Sequence, residues 1–534
     1  MKETFIVLLL FVSLSTRSQN TYYIDPAGSD DTGKGTVSSP WKSLNKACAT
    51  LKTSGDIIHV NSGIYNETEQ SLLVAGVSIE GVGSASVINS HFTKGYSISL
   101  YSPKEGINGN QHISNIKMDG NYYTAYGAIS IFGRSNVEIC NCTFINFSDY
   151  GVSFKAGLKA PPGIFATANS FHDNIETNCA GQSGGEDDNK DALEINGQDG
   201  MLIYNNRISD NRASGLNGNC IGGVEGYLKN VKIYNNILHK TFVPGITPWD
   251  FALEFWDFLG GVEIYDNDIN GSIDVGGYLN IKGSSEYSVW IHDNMIGQSA
   301  LLSSGSVRGI LIESSTNDVI IERNLIKNVA NGIYFSQFQD FRKVTNIRLS
   351  YNIFDNIGVS DEGTDSLGWG INWASENNNN HIVDNLNIWN NVFSGSTGAR
   401  SNMWGINLPN IGTATNVSIK NNIIENFDYC PIFSNDDSGI ASIDRLSIEN
   451  NIFYNNGNNN LPEYSEITPT HNITQNNLTS NPLFVSSSDF HVQFTSPAHT
   501  DPGLYVGLTL DYDSVQVLNP PDRGAYECHK CRNY

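Results

Sequence analysis

The segment Val231-Lys-Ile-Tyr-Asn-Asn-Ile-Leu238 is one copy of an eight-residue sequence pattern, here called the Asn phrase, that recurs along the chain and predicts its fold. The phrase reads apolar, any residue, apolar, any residue, Asn or Asp, Asn, any residue, apolar. Further copies begin at Val262, Val289, Val319, Val417 and Leu446. Neighbouring copies are mostly about 27–31 residues apart, and a fixed period in this range is typical of a solenoid.

The alternation inside each copy predicts a short β-strand. A second short strand is expected before each copy, as in Ala192-Leu-Glu-Ile195, Ala252-Leu-Glu-Phe255, Leu279-Asn-Ile281 and Gly309-Ile-Leu-Ile312. Three short strands per coil predict an all-β fold, a right-handed parallel β-helix of about 11–13 coils. The repeat patterns of leucine-rich repeats and of propeller blades are absent from the sequence.

The Asn pairs account for much of an unusual composition, since 66 of the 534 residues are Asn. Asn tolerates the left-handed α conformation and can bond its own backbone there, so each pair is expected at the bend between two strands. Equivalent Asn side chains on successive coils, about 4.8 Å apart, are expected to form a hydrogen-bonded ladder. Cys142 takes the second Asn position in one early copy, which predicts a buried thiol there.

The net charge bears on the partner of this protein, and the N-terminal segment indicates that it is exported. The formal net charge of −24 argues against a nucleic-acid partner, because phosphate binding needs clustered Lys and Arg. A basic residue and a short apolar run predict a cleaved signal peptide over residues 1–19, and hence a secreted or periplasmic location. No later stretch of the sequence reaches about 18 apolar residues, so no membrane span is expected. We expect a monomer.

The mature chain is expected to form one continuous unit. Residues 20–110 are assigned to an N-terminal cap and the first coils, 111–460 to the central coils, and 461–534 to a last coil and closing segment. The eight cysteines permit local disulfides in an exported protein. Cys528-x-x-Cys531 lacks the second pair of a zinc ribbon, so a terminal disulfide or a free tail is expected.

Both ends of the mature chain resemble a known superfamily. The matching segments are 22–30, 40–44, 55–60 and 63–65 near the start, and 481–484, 489–491, 496–498 and 522–527 near the end. They are similar to the opening and closing segments of exported bacterial pectate-lyase-like β-helix proteins. The resemblance implies this fold and action on a polysaccharide. It does not identify the reaction, because that superfamily contains lyases, hydrolases, epimerases and non-catalytic adhesins, and no family-specific catalytic motif is present.

Two long insertions, 161–191 and 238–250, lead into the short strand that precedes the Asn phrase, and long loops on a rigid scaffold usually carry function. We therefore expect the outward side chains of these strands to line a groove. One expected column is Glu194, a residue near Asn217, Glu254, Asn280, Leu311, Tyr334 and Asn372. The neighbouring expected column is Asn196, Asn219, Trp256, Lys282, Glu313 and Ser336.

Paired carboxylates in this groove point first to glycoside hydrolysis. Glu194 and Glu254, two coils apart, are expected about 9.6 Å from each other, close to the spacing of an inverting glycosidase. Asp257 and Glu313 complete the catalytic candidates of this hydrolase hypothesis, which needs no cofactor. The expected substrate-binding residues are Asp191, Asn196, Trp249, Asp250, Trp256, Asn280, Tyr334 and Trp369, whose aromatic members suit the apolar faces of sugars.

Two alternatives remain open at this point. A polysaccharide lyase would use Lys282 or Arg308 as the base at a uronate, with acidic clusters holding Ca²⁺. The groove has few cations for an anionic polymer, which favours hydrolysis slightly. A non-catalytic glycan-binding protein would use the same face without cleaving its ligand.

Overall fold

The computed structural model describes residues 19–102, 104, 106–122, 125–156, 165–180, 190–209, 218–223, 227–240, 251–256, 258–276, 287–297, 308–313, 315–336, 343–358, 368–373, 381–397, 402–409, 412–434, 442–463 and 467–528. Three long parallel sheets run along the molecule, with sixteen, fourteen and thirteen strands. The predicted right-handed parallel β-helix is confirmed. None of the helices in the described ranges has the length and apolar character needed to cross a membrane.

Sheet 1 contains the first half of each Asn phrase. Its sixteen strands are Thr21–Ile24, Ile57–Val60, Ser78–Gly81, Ile107–Ser114, Arg134–Cys140, Ser170–His172, Leu202–Tyr204, Lys232–Tyr234, Val262–Tyr265, Val289–His292, Thr316–Glu322, Lys343–Ser350, Ile382–Trp389, Thr413–Lys420, Ser442–Glu449 and Ile473–Gln475. The strands of the central coils bury alternate apolar residues inside the coil, as period-two patterning requires, whereas the last strand, Ile473–Gln475, is exposed.

Sheet 2 follows each Asn pair. Its fourteen strands are Gly63–Glu67, Ser86–Ser90, Lys117–Asp119, Thr143–Ile145, Ile175–Thr177, Arg207–Ser209, Ile237–His239, Asp268–Asn270, Met295–Gly297, Leu325–Lys327, Ile353–Ile357, Val392–Gly395, Ile423–Glu425 and Ile452–Tyr454. The bend between sheets 1 and 2 is the place predicted for the Asn pairs, and Asn235 has the expected positive φ of 56°.

Sheet 3 is made of the short strands that precede each phrase. Its thirteen strands are Ser71–Leu72, Tyr96–Tyr101, Gly127–Phe132, Tyr150–Lys155, Lys190–Asn196, Gly218–Gly223, Phe251–Phe255, Ser272–Gly276, Arg308–Glu313, Asn331–Phe335, Gly368–Trp373, Met403–Asn407 and Cys430–Phe433. Its outward face presents the candidate site.

The remaining elements are short. Ala166–Thr167, Gln198–Asp199 and Leu228–Lys229 form a three-stranded sheet, and Phe484–Ser486 pairs with Asp489–Val492. The helices are Leu44–Thr50 and Pro497–Thr500, with a 3-10 turn at Asn458–Asn460.

The predicted Asn ladder runs inside the bend between sheets 1 and 2. The Asn236 side-chain amide donates to Oδ1 of Asn267 at 3.0 Å, and the Asn267 amide donates to Oδ1 of Asn294 at 2.9 Å. The buried Cys142 lies at the start of the ladder, where its backbone N–H donates to Oδ1 of Asn174 at 2.9 Å. From Asn174 to Asn477 the ladder also satisfies buried backbone groups, because each amide donates to a strand carbonyl, as Asn236 does to that of Ile203.

Most cysteines of the described ranges are not in disulfide bonds. Cys528 is disulfide-bonded, whereas the other six cysteines of the described ranges are free. Cys531 lies outside the described residues. The stability of the helix therefore comes from its apolar core and its backbone ladders rather than from cross-links.

Candidate functional site on sheet 3

Two carboxylates stand in one outward column of sheet 3. Glu194 is in register with Ser153 on one side and Gly222 on the other. Glu254 is in register with Gly222 and Asp274. The structure thus places Glu194 and Glu254 two coils apart, as the alternation predicts, at a backbone separation of about 9.6 Å.

Asp191 fills the gap that Gly222 leaves in this column. A β-carbon added to Gly222 would lie 2.1 Å from Oδ1 and 2.6 Å from Cγ of Asp191. The Asp191 carboxyl group therefore lies between Glu194 and Glu254. All three side chains are nearly inaccessible to water, at 3% for Asp191, 4% for Glu194 and 6% for Glu254.

Asn219 connects two of these acids. Its Nδ2 atom donates to Oδ1 of Asp191 at 3.1 Å and to Oε2 of Glu254 at 2.7 Å. Because both oxygen atoms accept hydrogen bonds from the same nitrogen, Asp191 Oδ1 and Glu254 Oε2 are no more than about 6 Å apart. The prediction that Asn219 shares a column with Asn196 is wrong, because Asn219 is in register with Asp191, near the start of the strand.

Glu194 is surrounded by donors. Lys155 Nζ lies 2.7 Å from its Oε1, Asn196 Nδ2 donates to the same oxygen at 3.1 Å, and Ser153 Oγ donates to Oε2 at 2.6 Å. Such a set of donors supplies hydrogen bonds to both carboxyl oxygens and orients the side chain. Asn196, expected to bind substrate, is fully buried and instead holds Glu194 in place.

The surroundings of Asp191 disfavour its charged form. Burial raises the pKa of Asp191 well above its usual range, and the charges of Glu194 and Glu254 raise it further. An acid whose surroundings raise its pKa in this way is suited to general acid catalysis.

An aromatic and basic group adjoins the acids on their N-terminal side. Tyr126 and Tyr150 have ring centroids 5.5 Å apart, and Lys190 Nζ lies 5.3 Å from the Tyr150 centroid. Burial, and after it the charge of Glu194, raises the pKa of Tyr150, so it stays a neutral phenol. Lys155 and Lys190 were not identified from sequence, and the expectation of a cation-poor groove is wrong at this end.

The coil after Glu254 differs from the sequence prediction. Asp274 takes the register position expected for Asn280, and Gly276 takes the position expected for Lys282. The chain returns to sheet 3 directly after Gly271, so Ser272–Gly276 forms the strand. Asp274 is fully buried beside the three acids and was missed from sequence.

Other predicted residues lie farther along the same face. Trp256 lies against Gly276, 3.4 Å from an added β-carbon, and Glu313 is in register with that glycine. The guanidinium of Arg308 lies 5.0 Å from the Tyr334 ring centroid. Glu313, Arg308 and Tyr334 belong to the next coils and are not part of the Asp191 cluster.

Trp369 lies near the C-terminal end of sheet 3. Its ring stacks on Trp404 with centroids 4.3 Å apart and an interplanar angle of 11°. Both rings are largely buried, at 7% and 8% exposure, so the pair packs as a small apolar cluster. The remaining predicted site residues, Trp249, Asp250, Asp257, Asn280 and Lys282, lie outside the described residues.

Comparison with known proteins supports the fold. No model of a known protein family matches the sequence, and no curated protein is detectably similar to it. Among solved structures, the tailspike protein of E. coli bacteriophage HK620, solved in complex with a pentasaccharide, has 12% identity and a TM-score of 0.52, over 81% of this chain and 79% of the tailspike.

Two enzymes are also similar at lower scores. Pectate lyase Pel9A has 11% identity and a TM-score of 0.33, over 96% of this chain and 97% of its own. The mannuronan C-5 epimerase AlgE4 A-module of Azotobacter vinelandii has 13% identity and a TM-score of 0.35, over 61% of this chain and 85% of the module. What the chain shares with the tailspike, the highest-scoring of the three, is the parallel β-helix itself.

Proposed function

We propose that this protein is an exported enzyme that cleaves a polysaccharide by glycoside hydrolysis on the outward face of sheet 3. The single observation that carries the proposal is the row Glu194, Asp191 and Glu254, in which the buried Asp191 carboxyl group lies between two other carboxyl groups and has a raised pKa. A sugar-binding solenoid needs hydrogen-bonding groups, but it does not need a carboxylic acid whose pKa is raised by burial and by neighbouring acids.

Asp191 is the proposed general acid and Glu254 the proposed nucleophile. Their bonds to Asn219 hold them within about 6 Å, near the separation of about 5–5.5 Å used by retaining glycosidases. In the first step Glu254 attacks the anomeric carbon, the glycosidic C–O bond breaks, and the Asp191 proton passes to the leaving oxygen. In the second step water attacks the anomeric carbon, returns a proton to Asp191 and releases Glu254.

Glu194 supports this reaction without reacting. Its negative charge adds to the effect of burial in raising the pKa of Asp191, and it stabilises positive charge at the anomeric carbon. Lys155, Ser153 and Asn196 fix its position through the three contacts described above. Tyr126 and Tyr150 provide aromatic surface for a sugar unit on the N-terminal side of the bond that is cleaved.

The test is an assay of the purified protein on neutral and uronate-containing polysaccharides. Hydrolysis releases reducing ends without a new ultraviolet absorbance. Retention of anomeric configuration in the first product, read by NMR, supports the assignment of Glu254 as nucleophile. Inversion would instead favour the two-coil pair Glu194 and Glu254, with water between the acids.

Polysaccharide lyase chemistry is the second candidate, and Lys155 and Lys190 favour it because they suit an anionic polymer. Lys155 is ion-paired with Glu194 at 2.7 Å, so it can neutralise a substrate carboxylate but is not a free base. Elimination gives an unsaturated product that absorbs in the ultraviolet. The hydrolase proposal needs no metal, so chelation is expected to leave activity unchanged, whereas a Ca²⁺-dependent lyase would lose it. Affinity without any cleavage would indicate a glycan-binding protein.

Export and a monomeric state complete the proposal. The segment 1–19 supports export through its basic and apolar pattern. N-terminal sequencing of protein collected outside the cytoplasm tests the cleavage, and light scattering tests the monomer.

A further inference from the structure

A second group of chemistry-bearing side chains lies on sheet 1, a different sheet from the one that bears the carboxylates. Cys140 and His172 are direct partners on neighbouring strands, and Glu138 lies two residues before Cys140 on the same outward face. One ligand atom from each residue, a sulfur, a nitrogen and an oxygen, lies within 4.8 Å of the other two. Cys140 is a free thiol.

The His172 ring is fixed by two further residues. Asp173 Oδ2 lies 2.7 Å from its Nδ1, and Tyr204 stacks on the ring with centroids 4.5 Å apart and an interplanar angle of 3°. With Nδ1 bonded to a carboxylate, Nε2 is directed toward Glu138, whose Oε1 lies 3.0 Å away. A carboxylate on the far nitrogen is the usual outer partner of a metal-binding histidine.

We propose that Cys140, His172 and Glu138 form a binding site for Zn²⁺ or a similar borderline transition metal. Thiolate, imidazole and carboxylate are the ligands that zinc prefers, with Zn–S near 2.3 Å and Zn–N near 2.0–2.1 Å. Those bond lengths bring tetrahedral ligands about 3.3–3.8 Å apart, so side-chain shifts of about 1 Å close the site. Water fills the fourth position.

The placement of the three residues suits such a site. The backbones of Cys140 and His172 are held by sheet hydrogen bonds, so the sulfur and the ring keep their mutual orientation. The His172 side chain is 12% exposed and that of Glu138 is 51% exposed, so a metal can enter from the Glu138 side. Without metal, His172 Nε2 lies 3.0 Å from Glu138 Oε1, and the ion replaces that contact.

The same sheet offers a matched control. Four coils along, His292 occupies the corresponding place, with Asp293 Oδ2 at 2.6 Å from its Nδ1 and the Tyr265 ring stacked on it at 5.0 Å. Its strand partners are Tyr265 and Glu322, so no cysteine lies beside it, and its Nε2 has no hydrogen-bond partner among the described residues. A difference between the two histidines therefore reports on Cys140 and Glu138 together.

The experiment measures Zn²⁺ binding to the full-length protein by titration calorimetry, with a thiol-free reductant present to keep Cys140 reduced. We expect one equivalent to bind, and Cys140→Ser and His172→Gln each to weaken binding by at least about tenfold. Asp173→Asn is expected to weaken it by about tenfold, and His292→Gln to leave it unchanged. With Co²⁺ in place of Zn²⁺, the wild type is expected to show thiolate-to-metal charge-transfer absorption that Cys140→Ser lacks.

Several results would overturn the proposal. They are the absence of stoichiometric binding by the wild type, equal affinity in Cys140→Ser, and a Co²⁺ spectrum without the thiolate band. Circular dichroism of each variant separates lost ligands from lost fold. The outcome is independent of sheet 3, because loss of the metal site leaves the Asp191 cluster intact.

Discussion

The carboxyl group of Asp191 occupies the space that a side chain at position 222 would take. Because Gly222 has no β-carbon, the acid can lie over the backbone of the next coil, 2.1 Å from the place where that carbon would be. The absence of one side chain thus allows three acids to stand together. The arrangement depends on this glycine as much as on the acids themselves.

Substituting Gly222 tests this dependence. In Gly222→Ala the new methyl group collides with Asp191, so the acid must leave its place and activity is expected to fall by about 10²-fold or more. Gly276→Ala is the matched control on the same sheet, since its added carbon comes no nearer than 3.3 Å to the Cβ of Glu313. Steady-state rates and circular dichroism of both variants give the answer. Equal activity of the two variants would contradict the placement of Asp191.

The raised pKa of Asp191 has consequences for pH dependence. Catalysis needs its proton, so activity is expected to persist toward neutral pH and to fall as pH rises through the raised pKa. A folded-state pKa above the unfolded one contributes stability at low pH that is lost as pH rises. Asp191→Asn should therefore be inactive, yet gain stability relative to wild type between about pH 4 and 7, as measured by urea unfolding. If the stability gain of Asp191→Asn instead became smaller as pH rises, the pKa of Asp191 would not be raised in the folded protein.

Glu176 provides a second pH-sensitive group, inside the coil. It is fully buried on sheet 2, and neither carboxyl oxygen has a hydrogen-bond partner among the described residues. Burial raises the pKa of Glu176 well above its usual range. Glu176→Met, which keeps the length of the side chain, is therefore expected to be more stable than wild type at pH 7, with a smaller advantage near pH 4.

Glu449 is the control for Glu176, because its pKa is lowered rather than raised in the folded protein. Hydrogen bonds from Ser447, Lys420 and Gln475 outweigh the effect of burial and lower the pKa of Glu449. Its stabilising contribution is present above the unfolded pKa and is lost as pH falls through the folded one. Glu449→Gln should therefore be less stable than wild type at pH 7 and close to it near pH 3. Parallel urea titrations of both variants would show whether the signs differ as expected.

The Asn ladder can be tested by comparing an Asn at the second bend position with an Asn at the first bend position of the preceding coil. Asn267→Ala removes donors to the carbonyls of Ile233 and Tyr265 and breaks the contacts with its ladder neighbours. Buried groups left without partners should cost about 3 kcal/mol of unfolding free energy. Asn235→Gly keeps a backbone that accepts positive φ and should cost at most about 1 kcal/mol. Similar losses in both variants would mean that the ladder is not the stabilising element.

The fold could be predicted because its signals are local. Asn at the second bend position and apolar residues at every second strand position repeat in each coil, and each has a direct physical reason. The same alternation predicted that Glu194 and Glu254 face outward two coils apart. These inferences needed only the period of the sequence and the spacing of strands.

The other residues of the site depend on which segments lie next to each other on neighbouring coils. The lengths of the insertions between the strands determine that pairing. The segment after Gly271 contains two alternating stretches, and alternation alone does not favour Ser272–Gly276 over Leu279–Ile281 as the strand. Asp274 was missed for this reason. The roles of Asn219 and Lys155 depend on contacts with coils about thirty to forty residues away, which alternation within a strand does not encode.

The central claim is that the carboxylates of sheet 3 hydrolyse a glycosidic bond, and Glu254→Gln tests it most directly. The measurement is release of reducing ends from the polysaccharide that the wild type cleaves, with Glu313→Gln, a buried acid on the same sheet, as the control. We expect Glu254→Gln to lose at least about 10³-fold in rate, while Glu313→Gln stays within about threefold of wild type. A folded Glu254→Gln protein with wild-type activity would show that Glu254 does not take part in the reaction.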